Sequence, residues 1–160
     1  MATYKVIGVG QDGKFMDEYA RKDVISYVLR PEKTPHRFVG GAAVNVDNAE
    51  LEMTLLAQAF HNDTGLRIRH SEISFENDPG ITLEVANEIA QKAVAFFGCV
   101  YQIIYAVHED AEHIHFHMAM NTVSFLDGRK YYGTKKQYYD FINYIKGVIR
   151  PYGIPFYPVK

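Results

Sequence analysis

Four of the chain's seven histidines, His108, His113, His115 and His117, fall within ten positions of one another. They sit in and around two segments, CVYQIIYAV (99–107) and IHFHMAMNTV (114–123), rich in the β-branched and aromatic residues that favour buried strands. Side chains alternate between the two faces of a strand. His115 and His117 therefore share a face with Ala119 and Asn121, while Ile114, Phe116, Met118 and Met120 take the other. His108 ends the upstream segment, and a hairpin through the short polar stretch folds it back beside the pair. Three imidazoles then converge on one point. A neutral imidazole is the commonest metal ligand near neutral pH, and three ligands leave positions open for a substrate. A lone His-x-His on a strand is usually no more than a polar surface pair; the third imidazole makes it a candidate metal site. Asp110 is placed to orient one imidazole through its second nitrogen, as metal-bound histidines usually require, or simply to serve the turn. Imidazoles suit zinc, nickel, copper and iron, whereas magnesium prefers oxygen ligands.

The order His108-x-Asp110, then His113-x-His115-x-His117, then Asn121 resembles the metal motif of the relaxase/mobilisation nuclease family (MobP-like), within the HUH endonuclease superfamily. The turn Asp127-Gly128-Arg129-Lys130 is similar to that family too. Upstream, Ile25-Ser26-Tyr27-Val28-Leu29-Arg30-Pro31-Glu32-Lys33-Thr34 resembles its first motif, with Arg30 where asparagine is frequent. Ser74-Phe75, after a strand and before a helix, resembles the second. The resemblance implies a metal-dependent, site- and strand-specific endonuclease acting on single-stranded DNA at an origin of transfer, to initiate conjugative transfer or mobilisation. It implies Tyr27 as the nucleophile that forms a 5′-phosphotyrosine and frees a 3′-hydroxyl, with Tyr19 as the nearby alternative. His108, His115 and His117 become the ligands of a divalent ion. Manganese or magnesium is expected by resemblance, and zinc or nickel is possible in a purified sample. Asp110 is expected to orient a ligand or accept the tyrosine proton. Ser74, Lys33, His113 and Asn121 are expected to contact DNA or support the site. Accessory relaxosome proteins are the implied partners. Members of the family usually carry further domains after the nuclease, so an ending at Lys160 suggests a trimmed piece or a short member.

Periodicity and turn residues outline the strands and helices around these side chains. TYKVIGV near the start reads as a strand, followed by a turn around Asp12-Gly13. Residues 16–29 have a helical pattern that Pro31 ends, and a looser stretch with Pro35 and Gly40-Gly41 follows. A helix capped by Asp47 or Asn48 reaches about Phe60, with Gly65 as a stop. LRIRHSEISF reads as a strand. Thr82 opens a helix to Gly98, with Glu84 and Glu88 in its first turns, where the helix dipole favours acids. Tyr138, Phe141, Ile142, Ile145 and Ile149 recur at helical spacing over 135–149. Strands interleaved with helices and joined partly by hairpins predict an α+β fold, a central antiparallel sheet flanked by helices in a two-layer or three-layer sandwich. One domain over 1–160 accommodates it.

Composition narrows the field. Hydrophobic residues are 48% and charged residues 22%, an ordinary globular balance. No apolar run approaches the roughly 20 residues of a membrane span, and no signal-peptide pattern opens the chain, so a cytoplasmic location is expected. The single cysteine, Cys99, excludes an internal disulfide framework and a Cys-rich zinc site, and is expected to be buried and inert. Net charge is −2, yet residues 129–160 carry seven Lys/Arg against Asp140 alone, a segment able to track phosphates or simply to face solvent. Three rival readings stand. A transposase or replication initiator would carry its tyrosine after the histidines, as Tyr138 or Tyr139. A three-histidine metalloenzyme acting on a small molecule would need no tyrosine. A binding module would have kept the fold without the chemistry.

Overall fold

A computed structural model of the chain describes residues 1–8, 13–110 and 112–159. The turn expected around Asp12-Gly13 lies partly outside the described residues, because Asp12 is not among them. In chain order the elements are β1 (Ala2–Ile7), α1 (Ala20–Val28), β2 (Val39–Ala42), α2 (Ala49–Ala59), β3 (Ile68–Phe75), α3 (Leu83–Phe97), β4 (Tyr101–Glu109), β5 (Ile114–Ser124), α4 (Lys135–Ile149) and β6 (Phe156–Pro158). The strands form one six-stranded sheet in the order β2-β4-β5-β3-β1-β6.

The sheet is mixed rather than wholly antiparallel, since β6 runs parallel to β1 at one edge. The chain reaches that edge only after α4 has crossed the sheet, and a crossover connection delivers a parallel strand. Neither edge strand announces itself in sequence. β6 contains Pro158 and follows Pro155, residues that a sheet tolerates at an edge. β2 contains Gly40, where an added Cβ would lie 2.8 Å from the Tyr105 ring of neighbouring β4. The glycine is there for close approach, and it hides the strand from a reading based on β-propensity. Helix α1 starts at Ala20 rather than near residue 16, because Asp17 folds the chain into a local turn: its carboxylate accepts from the Tyr19 N–H at 2.8 Å. Helices α3 and α4 begin where expected, with the Thr82 hydroxyl accepting from Val85 N–H and a Thr134/Gln137 capping box.

Both faces of the sheet are covered, so the sandwich has three layers. On one face α3 and α4 pack on Ile73, Phe75, Ile103, Tyr105, Val107, Phe116, Met118 and Met120. On the other, α1 and α2 pack through Val24, Val28 and Met53 on Ile68, Ile104, Ala106 and Ala119. Burial on both sides explains why every residue from His115 to Ser124 is buried.

A polar tether fixes α1 to this second face. Arg21, only 3% exposed, donates from Nη1 to Asp63 at 2.8 Å and from Nη2 to Asn121 Oδ1 at 3.3 Å. Asn121 in turn donates to the Met53 carbonyl at 3.2 Å and to Gln102 Oε1 at 3.1 Å. Burial opposes ionisation of Asp63, but hydrogen bonds and charge from Arg21 and Arg67 outweigh it and hold the carboxyl below its ordinary value. Asp63→Ala strands the buried guanidinium and is expected to cost about 3 kcal/mol in urea unfolding. Because the folded pKa is depressed, this stabilisation is complete above the ordinary carboxylate pKa and disappears as pH falls through the folded value. The acid limb of a stability–pH curve should flatten in the variant.

Candidate active site

Strand register brings the predicted ligands together. His108 on β4 lies directly opposite His115 on β5, and Ala106 opposite His117. On the far side of β5, Ser74 of β3 pairs with His115, Glu72 with His117 and His70 with Ala119. Directly opposed residues share a face, so all of these side chains point toward α1. The nitrogens that His108, His115 and His117 offer lie within 4.8 Å of one another. His108 is fully buried, and His115 and His117 are 7% and 2% exposed.

Hydrogen bonding decides which nitrogens are free. His108 Nε2 lies 2.7 Å from the Val28 carbonyl. A carbonyl only accepts, so Nε2 carries the proton and Nδ1 is a bare lone pair. That Nδ1 is buried without a partner among the described residues, and so is Nδ1 of His115. His117 shares a 2.9 Å hydrogen bond between its Nδ1 and His70 Nε2. Its Nε2 lies 3.5 Å from Glu72, whose pKa burial raises and Lys5 opposes. All four rings resist protonation. Burial, and then the other histidines, push His115 and His70 down to about 4 and His117 to about 2; burial also lowers His108. An orphaned buried acceptor costs about 1–3 kcal/mol unless a ligand takes it up. Neutral imidazoles with unused lone pairs, gathered at one point, fit a metal ion.

Tyr27 stands on the last turn of α1, at the rim of this cluster. Its ring is edge-on to His117 and His70, with centroids 5.5 and 5.6 Å apart, and it is 43% exposed. The Arg30 guanidinium lies 4.1 Å from the ring centroid, within cation–π range. Val28, whose carbonyl His108 holds, is the next residue, so one histidine touches both the cluster and the helix end that carries Tyr27. Tyr19 precedes α1, about 12 Å back along the helix at 1.5 Å per residue, and is 60% exposed.

Other expected residues divide. Asp110 is bound to Lys33 at 2.5 Å and lies 3.6 Å from His115 Nε2, beyond hydrogen-bond reach. Lys33, helped by His115, lowers its pKa despite partial burial. Ser74 is 7% exposed and directly across from His115. His113 is half-buried at the hairpin mouth, its ring 5.5 Å from that of His115. Asn121 is fully buried, about 13 Å along β5 from His117, and accepts the hydrogen bond from Arg21 that ties α1 to the sheet.

Three expectations need correction or extension. Cys99 is exposed, not buried, because β4 begins at Tyr101 and leaves Cys99 in the turn after α3. The basic residues of α4 lie with that helix on the sheet face opposite the histidines, and so do Tyr138 and Tyr139. His70 and Glu72 were missed. The signal was present: in RHSEISF they have the parity of Ser74, so the strand that presents the serine presents them as well.

Residues 27–154 match the family model described as Relaxase: MobA/VirD2-like, nuclease domain. Among curated proteins nothing matches the chain.

Proposed function

The chain belongs to the relaxase family of MobA/VirD2-like nuclease domains, and from that premise we propose that it nicks one strand of DNA at an origin of transfer through a covalent phosphotyrosine on Tyr27. The observation that carries the proposal is the position of Tyr27, partly exposed and edge-on to His117, on the helix end that His108 holds. Tyr27 Oη attacks the scissile phosphorus, a P–O bond to Tyr27 forms, and the bond to the 3′ oxygen breaks. Tyr27 gives up its hydroxyl proton to solvent and the departing 3′ oxygen takes one up, so the products are a 5′-phosphotyrosine and a 3′-hydroxyl. Because one phosphoester replaces another, the hydroxyl can reverse the step and reseal the strand without ATP. His108, His115 and His117 would hold a divalent ion, manganese or magnesium, which when bound polarises a phosphate oxygen and offsets charge developing there.

The remaining residues position and screen. The His108–Val28 hydrogen bond holds the last turn of α1 against the cluster. Arg30 braces the Tyr27 ring and brings positive charge to the edge where a phosphate would arrive. Lys33 and Asp110 neutralise each other beside His115. In this reading Ser74 lies close enough to the cluster to help place the strand, and His113 flanks its entrance. The nuclease is one domain spanning 1–160, acting with accessory proteins that expose single-stranded DNA.

Incubation with single-stranded DNA spanning the element's own origin and manganese, followed by a denaturing gel, tests the proposal. An EDTA-sensitive covalent adduct is expected. Tyr139→Phe should leave its yield within about two-fold, because α4 packs on the other face of the sheet. Loss of the adduct in that variant would assign the nucleophile to the C-terminal helix. Absence of any adduct on origin-containing DNA would sink the nicking proposal.

A further inference from the structure

Next to Tyr27, on the side away from Lys33 and Asp110, a slot of about 280 Å³ opens between the β1–α1 connection and α1. Ile7 and Val24 supply aliphatic walls, Phe15, Tyr27 and His70 supply rings, and Lys14 and Asp23 supply charge. Phe15 is held there by construction. Its backbone has φ +62°, a left-handed conformation that costs a non-glycine residue free energy, and its carbonyl accepts from Arg67 N–H at 3.0 Å. The ring packs so closely on Gly8 that an added Cβ would lie 2.7 Å from its Cε2. A glycine, a strained backbone and a hydrogen bond from Arg67, just ahead of β3, together place one aromatic ring beside the proposed nucleophile. Phe15 packs at the margin of the cluster beneath α1 and also lines the slot.

We propose that this slot receives one unstacked nucleobase of the DNA strand adjacent to the phosphodiester that Tyr27 attacks, and that it prefers bases bearing an exocyclic amine over thymine. The inference rests on the relaxase reading and adds to it where the strand lies. Single-stranded DNA is held by aromatic platforms that stack bases and by cations that track the backbone. Phe15 is the platform. Lys14, its Nζ 5.3 Å from the Phe15 ring centroid, is the cation for a neighbouring phosphate. Asp23, an exposed acceptor at the mouth, can take a hydrogen bond from the amino group of adenine, cytosine or guanine, whereas the only donor of an unpaired thymine, its ring N3–H, is flanked by two carbonyl oxygens that repel a carboxylate. Since Tyr27 lines the same slot, a base seated in it brings the adjoining phosphate to the rim of the histidine cluster.

The test uses the full chain and oligonucleotides of about twelve nucleotides, oligo-dA, oligo-dC and oligo-dT. Methyl NMR of Ile7 and Val24 reports occupancy, and fluorescence anisotropy reports affinity. Oligo-dA and oligo-dC are expected to shift both methyl signals and to bind more tightly than oligo-dT. Phe15→Ala should weaken binding roughly ten-fold. Phe15→Leu, which keeps the apolar bulk and safeguards folding, should weaken it similarly because stacking is lost. Asp23→Asn should erase the preference over oligo-dT. Binding that leaves the Ile7 and Val24 methyls unmoved, or that survives Phe15→Leu unchanged, overturns the slot. The adduct assay separates the two ideas. An adduct with an idle slot refutes only this inference, and an occupied slot without any adduct refutes only the nicking proposal.

Discussion

Tyr27→Phe is expected to abolish the covalent DNA adduct, a loss of at least about a thousand-fold, while metal binding and folding persist. The substitution removes one oxygen and keeps the ring. The edge-on packing against His117 and His70 and the Arg30 contact depend on the ring. With the residue 43% exposed, the stability change should stay under about 0.5 kcal/mol. Affinity for single-stranded DNA should also survive, because attack needs the hydroxyl and stacking does not. This combination distinguishes a nucleophile from a packing residue. A variant that binds DNA, folds normally and still forms the adduct would move the search to another tyrosine. Tyr19 would come first, although it lies about 12 Å back along α1 from Tyr27.

His115→Ala carries the second large effect, on metal affinity. His115 is the cleanest of the three to remove. His108 also holds the Val28 carbonyl and His117 also bonds His70, whereas His115 Nδ1 has no partner among the described residues. Affinity for manganese measured by calorimetry should fall about 100-fold or more, and adduct formation should fall with it. A thermal readout is independent of activity. Wild type at a metal concentration one hundred times Kd should gain about 2.7 kcal/mol of stability, and the variant at the same concentration should gain almost none. The pH dependence follows from the lowered pKa values. A proton competes with a metal only below the pKa of the ligand. With His115 at about 4 and His117 at about 2, affinity in wild type should change little between about pH 7.5 and about pH 5.5 on their account. An ordinary exposed histidine cluster would lose most of its affinity across that window. An equal metal response in His115→Ala and wild type would remove the triad from the mechanism.

Much of the site is legible in the linear order of residues because strand geometry is local. Alternation places His115, His117 and Asn121 on one face, and a hairpin of four residues leaves little choice about where His108 lands. Helices α3 and α4 are marked by their own caps and periodicity, Thr82 and Thr134 at their starts and an apolar stripe along each. The elements that were missed, β2 and β6, have weak local signals. Gly40 is chosen for its distance from Tyr105, and Pro158 is tolerated only because nothing pairs beyond it, and both reasons lie in a neighbouring strand.

Residue order alone therefore sets the chemistry on offer: three convergent imidazoles, a tyrosine in a relaxase-like segment, and strands and helices in alternation. How those groups are placed against one another depends on the packed fold. Asn121 follows the histidines on the same strand face, yet α1 and α2 cover it, and it became an anchor for Arg21. Tyr139 sits beside lysines on a helix, yet the sheet stands between it and the histidines. His70 lies far from His117 in sequence, yet β3 pairs with β5 in a register that puts the two rings in hydrogen-bond contact. Periodicity along a strand or helix fixes which way a side chain points relative to its neighbours. Which layer covers that face, and which distant strand pairs beside it, depends on burying both sides of the sheet at once, a condition that no local stretch of residues contains.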